Sequence, residues 1–139
     1  MIRVEFDPTN YNQLFSVILD SVEYLFHLSW NNALSKRGFR ESGWELTIYD
    51  PTLFDINDFL DSGEAQYEAL IQGATKLMPN TQILNNAYFT QLPTGVLFCG
   101  DRSAEQGLSD EEYYIGLDNF GVGKRFDLYY TTEEEALSL

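Results

Sequence analysis

The chain has 139 residues, 44% of them hydrophobic and 15% aromatic, which supplies one folded core in one domain and excludes a disordered chain. Eight Lys and Arg against 22 Asp and Glu leave a net charge of -14, which excludes gripping phosphate backbones or anionic lipid through net charge. Met1–Asp7 turns acidic at once and lacks the apolar stretch of a secretory signal, and a single cysteine, Cys99, excludes an intramolecular disulfide and a multi-cysteine zinc site.

Along the chain, Ile2, Val4 and Phe6 alternate with Arg3, Glu5 and Asp7, the pattern of a short strand that Pro8 ends. Thr9 or Asn10 then caps a helix expected from about Tyr11 to Ser29, because Leu14, Phe15, Ile18, Val22, Leu25 and Phe26 recur at three- and four-residue steps. Asp20, Glu23 and His27 interrupt this stretch, so it does not span a membrane. Ser35-Lys36-Arg37-Gly38 reads as a loop. Trp44, Leu46 and Ile48 alternate with Glu45, Thr47 and Tyr49 in a second strand, closed by Asp50-Pro51.

Phe54, Ile56, Phe59 and Leu60 suit a short helix that Ser62-Gly63 breaks. Tyr67, Leu70, Ile71, Ala74, Leu77 and Met78 suit a longer one, stopped by Pro79-Asn80. Beyond it the period shortens. Ala87 to Thr90, Gly95 to Cys99, Tyr113 to Leu117 and Phe126 to Thr131 read as strands, the last two as a hairpin. Thr131-Thr132 ahead of Glu133, Glu134 and Glu135 starts a short capped terminal helix. The expected class is therefore α+β: two to three helices packed on one face of a mainly antiparallel sheet.

The charge is uneven. Between Arg40 and Lys76 stand Glu41, Glu45, Asp50, Asp55, Asp58, Asp61, Glu64 and Glu68 without one Lys or Arg, and Asp110-Glu111-Glu112 precedes Tyr113 and Tyr114. Such clusters either keep a protein soluble or form a field complementary to a basic partner. Tyrosines beside carboxylates suit a partner rich in Arg. In the doublets Tyr113-Tyr114 and Tyr129-Tyr130, one member faces the core and the other outward.

His27 and Cys99 are the only residues of their types, so imidazole chemistry would have to use His27 and thiol chemistry Cys99. His27 is expected near a helix end, where the helix dipole favours the imidazolium, and Cys99 at the end of an apolar strand; each is read as structural. Gly121-Val122-Gly123-Lys124-Arg125 lacks the full phosphate-loop pattern and reads as a turn. No metal site and no cofactor is indicated.

Together these features point to a cytoplasmic, non-enzymatic acidic protein that occludes a basic protein partner. It would be an immunity protein for a nuclease-type toxin, without direct contact to nucleic acid or membrane. The binding surface would comprise Asp55, Asp58, Asp61, Glu64 and Glu68, with Asp110, Glu111, Glu112, Tyr113 and Tyr114. The alternatives are a DNA-mimic inhibitor from a phage or mobile element, and a small enzyme using carboxylate or Cys99/His27 chemistry.

Overall fold

Asp20 and Ser21 both hold positive φ, 52° and 66°, a two-residue turn whose twist matches that of two antiparallel strands. In the computed structural model, which describes residues 1–31, 43–101, 115–117 and 119–137, this turn joins β2 (Asn12–Leu19) to β3 (Val22–Asn31). Leu19 pairs with Val22, Val17 with Tyr24 and Phe15 with Phe26. The helix expected over 11–29 is thus a hairpin. Phe15, Val17 and Leu19 share one face with Tyr24, Phe26, Leu28 and Trp30 at period two. Leu14, Ile18 and Leu25 on the other face supply the three- and four-residue steps that mimic a helix.

β4 (Gly43–Tyr49) matches the expected second strand and pairs with β3, setting Trp30 beside Trp44, Leu28 beside Leu46 and Phe26 beside Ile48. β5 (Leu70–Lys76) follows where a helix was expected. Of that helix's proposed apolar stripe, Ile71 and Leu77 are buried, whereas Tyr67 and Met78 are exposed. A bulged register carries β5 along β4, and the sheet order is β2-β3-β4-β5. α1 (Ile56–Ser62) is the short helix expected, capped by Asp55, whose side chain accepts from the Asn57 and Asp58 amides, and closed by Gly63 at φ 67°.

A second sheet, in the order β1-β7-β6, forms from β1 (Ile2–Arg3), β6 (Val96–Asp101) and β7 (Phe126–Thr131). Tyr130 lies between Ile2 and Leu97, and Leu128 beside Cys99. The hairpin expected between the last two strand runs is not formed: β7 pairs with β6 and β1, and Ile115–Leu117 is not strand. Ala87–Thr90 is a turn, with the Tyr88 and Phe89 amides both donating to the Asn85 carbonyl. α2 (Glu133–Leu137) starts in a reciprocal cap, the Glu135 amide donating to Thr132 Oγ1 and the Thr132 amide to Glu135 Oε1.

The α+β expectation is corrected accordingly. The described chain is mainly β, two antiparallel sheets of four and three strands with helices of seven and five residues. The sheets share one core. Phe26, Leu28, Trp44, Leu46 and Ile48 from the larger join Leu97, Cys99, Leu128 and Tyr130 from the smaller, with Phe120 and Phe126. Trp44 donates its indole N–H to the Gly116 carbonyl (2.9 Å), so the largest core side chain carries no unpaired donor.

Gly95 is required by packing. A Cβ there would lie 2.1 Å from the Thr131 carbonyl oxygen and 2.5 Å from Tyr130 Oη. Gln72, buried on β5, donates to the Ile83 carbonyl (2.9 Å) and accepts from the Asn85 amide (2.8 Å), fastening the 77–95 connection to the sheet.

Candidate functional site

The face of the four-stranded sheet turned away from this core is not a plain solvated surface. Across it stand His27 and Ser29 from β3, Glu45, Thr47 and Tyr49 from β4, and Leu70 from β5. Beyond Asp50 the chain turns back over them. Asp50 Oδ1 accepts from the Thr52 amide and hydroxyl, and Gln66 and Asp55 exchange two hydrogen bonds, Asp55 N to Gln66 Oε1 and Gln66 Nε2 to the Asp55 carbonyl. That clamp seats α1 on the sheet. Phe54 packs on Tyr49 (ring centroids 4.8 Å apart), Phe59 on Phe54 (5.5 Å) and Phe59 edge-on against His27 (5.0 Å).

Between α1, its 63–67 return and the sheet remains a groove of about 300 Å³. Its polar groups are His27, Ser29, Glu45 and Thr47, its aromatic ones Tyr49, Phe59 and Tyr67, and Gly73 and Ala74 of β5 keep one side low. Glu45 accepts from Asn31 Nδ2 (2.9 Å). His27 Nε2 lies 2.6 Å from Asn12 Oδ1, and burial lowers the imidazole pKa, which disfavours the imidazolium. This corrects the expected helix-end imidazolium: His27 sits in mid-strand.

Of the expected binding surface, Asp58, Asp61, Glu64 and Glu68 are all exposed on α1 and the segment that follows it. Asp55 is exposed too, but its carboxylate is committed to the cap. Only Asp58 and Asp61 of the set therefore lie within the helix itself. Asp110, Glu111, Glu112, Tyr113 and Tyr114 lie outside the described residues. In the other doublet Tyr130 is buried and Tyr129 half-buried, as the alternation requires. The groove residues Glu45, Phe59, Tyr67 and Gly73 were not singled out from the sequence as one site. The only local signal is Gly73, a glycine inside an apolar run.

Cys99 and His27 are not brought together. Cys99 is fully buried between the two sheets, where burial and then the Asp127 charge push its thiol pKa well up, while His27 lies on the far face of β3. An unionised thiol with the sheet between it and the imidazole has no base to activate it. Gly121–Arg125 is a turn, the Lys124 amide donating to the Gly121 carbonyl (3.0 Å). The Arg125 guanidinium forks onto Asp101, Nε to Oδ1 and Nη2 to Oδ2, each 3.1 Å. Among the described residues no three of His, Cys, Asp and Glu stand together as metal ligands.

Compared with known proteins, residues 1–134 match the family model described as "Cyanophage baseplate Pam3 plug gp18". No curated protein and no solved structure matches. The family match overturns three expectations: the immunity protein or DNA-mimic inhibitor, the toxin-like basic partner, and the cytoplasmic location. The family is described by a structural part of a phage particle. Acidic composition is shared by inhibitors and by many solvated surfaces, and carries no information about descent.

Proposed function

The chain belongs to the family of the cyanophage Pam3 baseplate plug gp18, and from that premise we propose that it is a non-enzymatic structural component of a phage baseplate, held by contacts with other baseplate proteins. The observation that supports a contact role is the surface around α1. No residue of this helix is buried, and Ile56 and Leu60 are exposed along with Leu53 before it and Tyr67 after it. Apolar side chains left open beside Asp58, Asp61, Glu64 and Glu68 make a surface with an apolar centre and a charged margin, the anatomy of a protein interface. The carboxylates then orient basic groups of a neighbour and set the rate of docking.

Immunogold labelling of purified particles of the encoding phage tests the reading. Label is expected at the baseplate end of the tail, and particles devoid of the protein would refute it. Reversing Asp58, Asp61 and Glu64 to Lys together should reduce incorporation while leaving the isolated protein folded, because all three side chains are solvent-exposed.

A further inference from the structure

We propose that the groove between α1 and the outer face of the four-stranded sheet is a receptor for one arginine side chain of a partner protein. Where that partner comes from rests on the baseplate reading; the chemistry of the groove does not. Its acid is Glu45, whose carboxylate has about four acceptor sites when ionised and gives one to Asn31 Nδ2. Its walls include Phe59 and the exposed Tyr67, with Tyr49 buried behind them. A planar cation that stacks on aromatic faces while its N–H fork meets a carboxylate is a guanidinium; an ammonium gains the charge and the cation–π attraction but neither the stacking nor the bidentate fork. Burial of the imidazole in the groove lowers its pKa and so disfavours a charge that would oppose the guanidinium.

Lys76, across from Glu45 in the register, runs its stem past Gly43, with Cε 2.9 Å from where a Cβ of that glycine would be, and is not among the groove's walls.

Gly73 is the second, independent observation. It lies inside β5, where glycine weakens a strand. Its φ is not positive and a Cβ would meet nothing within 4 Å. Neither backbone conformation nor packing in the described structure requires glycine there. An unfilled position on a groove wall is what the close approach of another chain demands, since the arginine must arrive on a backbone that lies against the strand.

The experiment is a titration of the full-length, isotope-labelled protein with N-acetyl-arginine amide, followed by the amide resonances of Thr47, Gly73 and Ala74. N-acetyl-citrulline amide serves as the uncharged isostere. Saturable shifts at those three positions are expected, with an affinity on the order of millimolar for so small a ligand. Citrulline, or Glu45→Gln, should weaken binding about tenfold. Gly73→Val should fill the wall and abolish the response. Equal responses to arginine and citrulline, or shifts that never saturate at these amides, would overturn the proposal. If Gly73→Val does not fold, the citrulline and Glu45→Gln comparisons still decide. Failure here with the protein present in particles removes only the arginine receptor; saturable binding with particles devoid of the protein removes only the baseplate reading.

Discussion

Tyr130 ties three parts of the fold through one hydroxyl. Its side chain is buried on β7, donates to Asp20 Oδ2 (2.7 Å) in the turn between β2 and β3, and accepts from the Gly95 amide (3.1 Å) at the entry to β6. Tyr130→Phe keeps the ring and removes all of this. The buried Gly95 amide loses its acceptor, which costs about 2 kcal/mol, whereas exposed Asp20 regains water and accounts for about 1 kcal/mol more. A loss of about 3 kcal/mol lowers Tm by roughly 10 °C for a chain of this size. Urea unfolding should show a lower midpoint at unchanged slope.

Tyr130 also gives the effect a pH signature. Burial and then the Asp20 carboxylate raise the phenol pKa above its ordinary value of 10. The neutral phenol is therefore favoured in the folded state, and its contribution is complete below pH 10 and is lost as pH rises beyond it. The wild type should lose stability above pH 10 more steeply than Tyr130→Phe. A variant within about 0.5 kcal/mol of wild type, the spread of an ordinary surface change, would refute the reasoning, and so would an unchanged alkaline limb.

Ser21→Gly should stabilise the protein by roughly 0.5 kcal/mol, because glycine relieves positive φ at a turn position; were residues 11–29 helical, the same change would instead cost about 0.5 kcal/mol. Chemical denaturation separates the two signs. Cys99 should react with a thiol reagent only at the rate of unfolding, since its sulfur is sealed between the sheets and its pKa is raised; rapid labelling of native protein would contradict the packing. Glu135, bonded to the amino terminus of Met1 and to the Thr132 amide, has its pKa lowered to about 2. Its contribution is present above its ordinary value of 4.5 and is lost as pH falls towards 2. Carboxyl resonances that titrate near 4.5 would show the pairing to be absent in solution.

The sequence reading succeeded where the polarity pattern matched the element's period and its ends were punctuated. β4 alternates cleanly and stops at Asp50-Pro51; α1 carries its own cap at Asp55 and its own stop at Gly63; Thr132 and Glu135 announce α2. It failed at β5 because Ile71, Ala74 and Leu77 fit a helical stripe. What decides against that stripe is the edge of β4, a non-local partner that no window of the sequence contains. The carboxylates of α1 were legible as exposed for the same local reason that made α1 legible. The groove was not, because its walls come from β3, β4, β5 and α1 and exist only after the sheet has formed.

The misreading of residues 11–29 has a physical cause in the second face of the hairpin. A sheet with one face in the core and the other in water shows strict alternation, and an alternating β2 and β3 would have been recognised. These strands do not alternate because the outer face is apolar as well: Leu14 and Ile18 on β2 and Leu25 on β3 stand opposite the core-facing Phe15, Val17 and Phe26. Among the described residues, α1 and its return cover that face over β3, β4 and β5, through Phe59 and Phe54, and Ile18 on the edge strand remains 65% exposed. An edge strand that is uncharged over all eight residues and lacks proline has none of the usual protection against pairing with another chain. In a free monomer of charge -14, repulsion between copies supplies that protection.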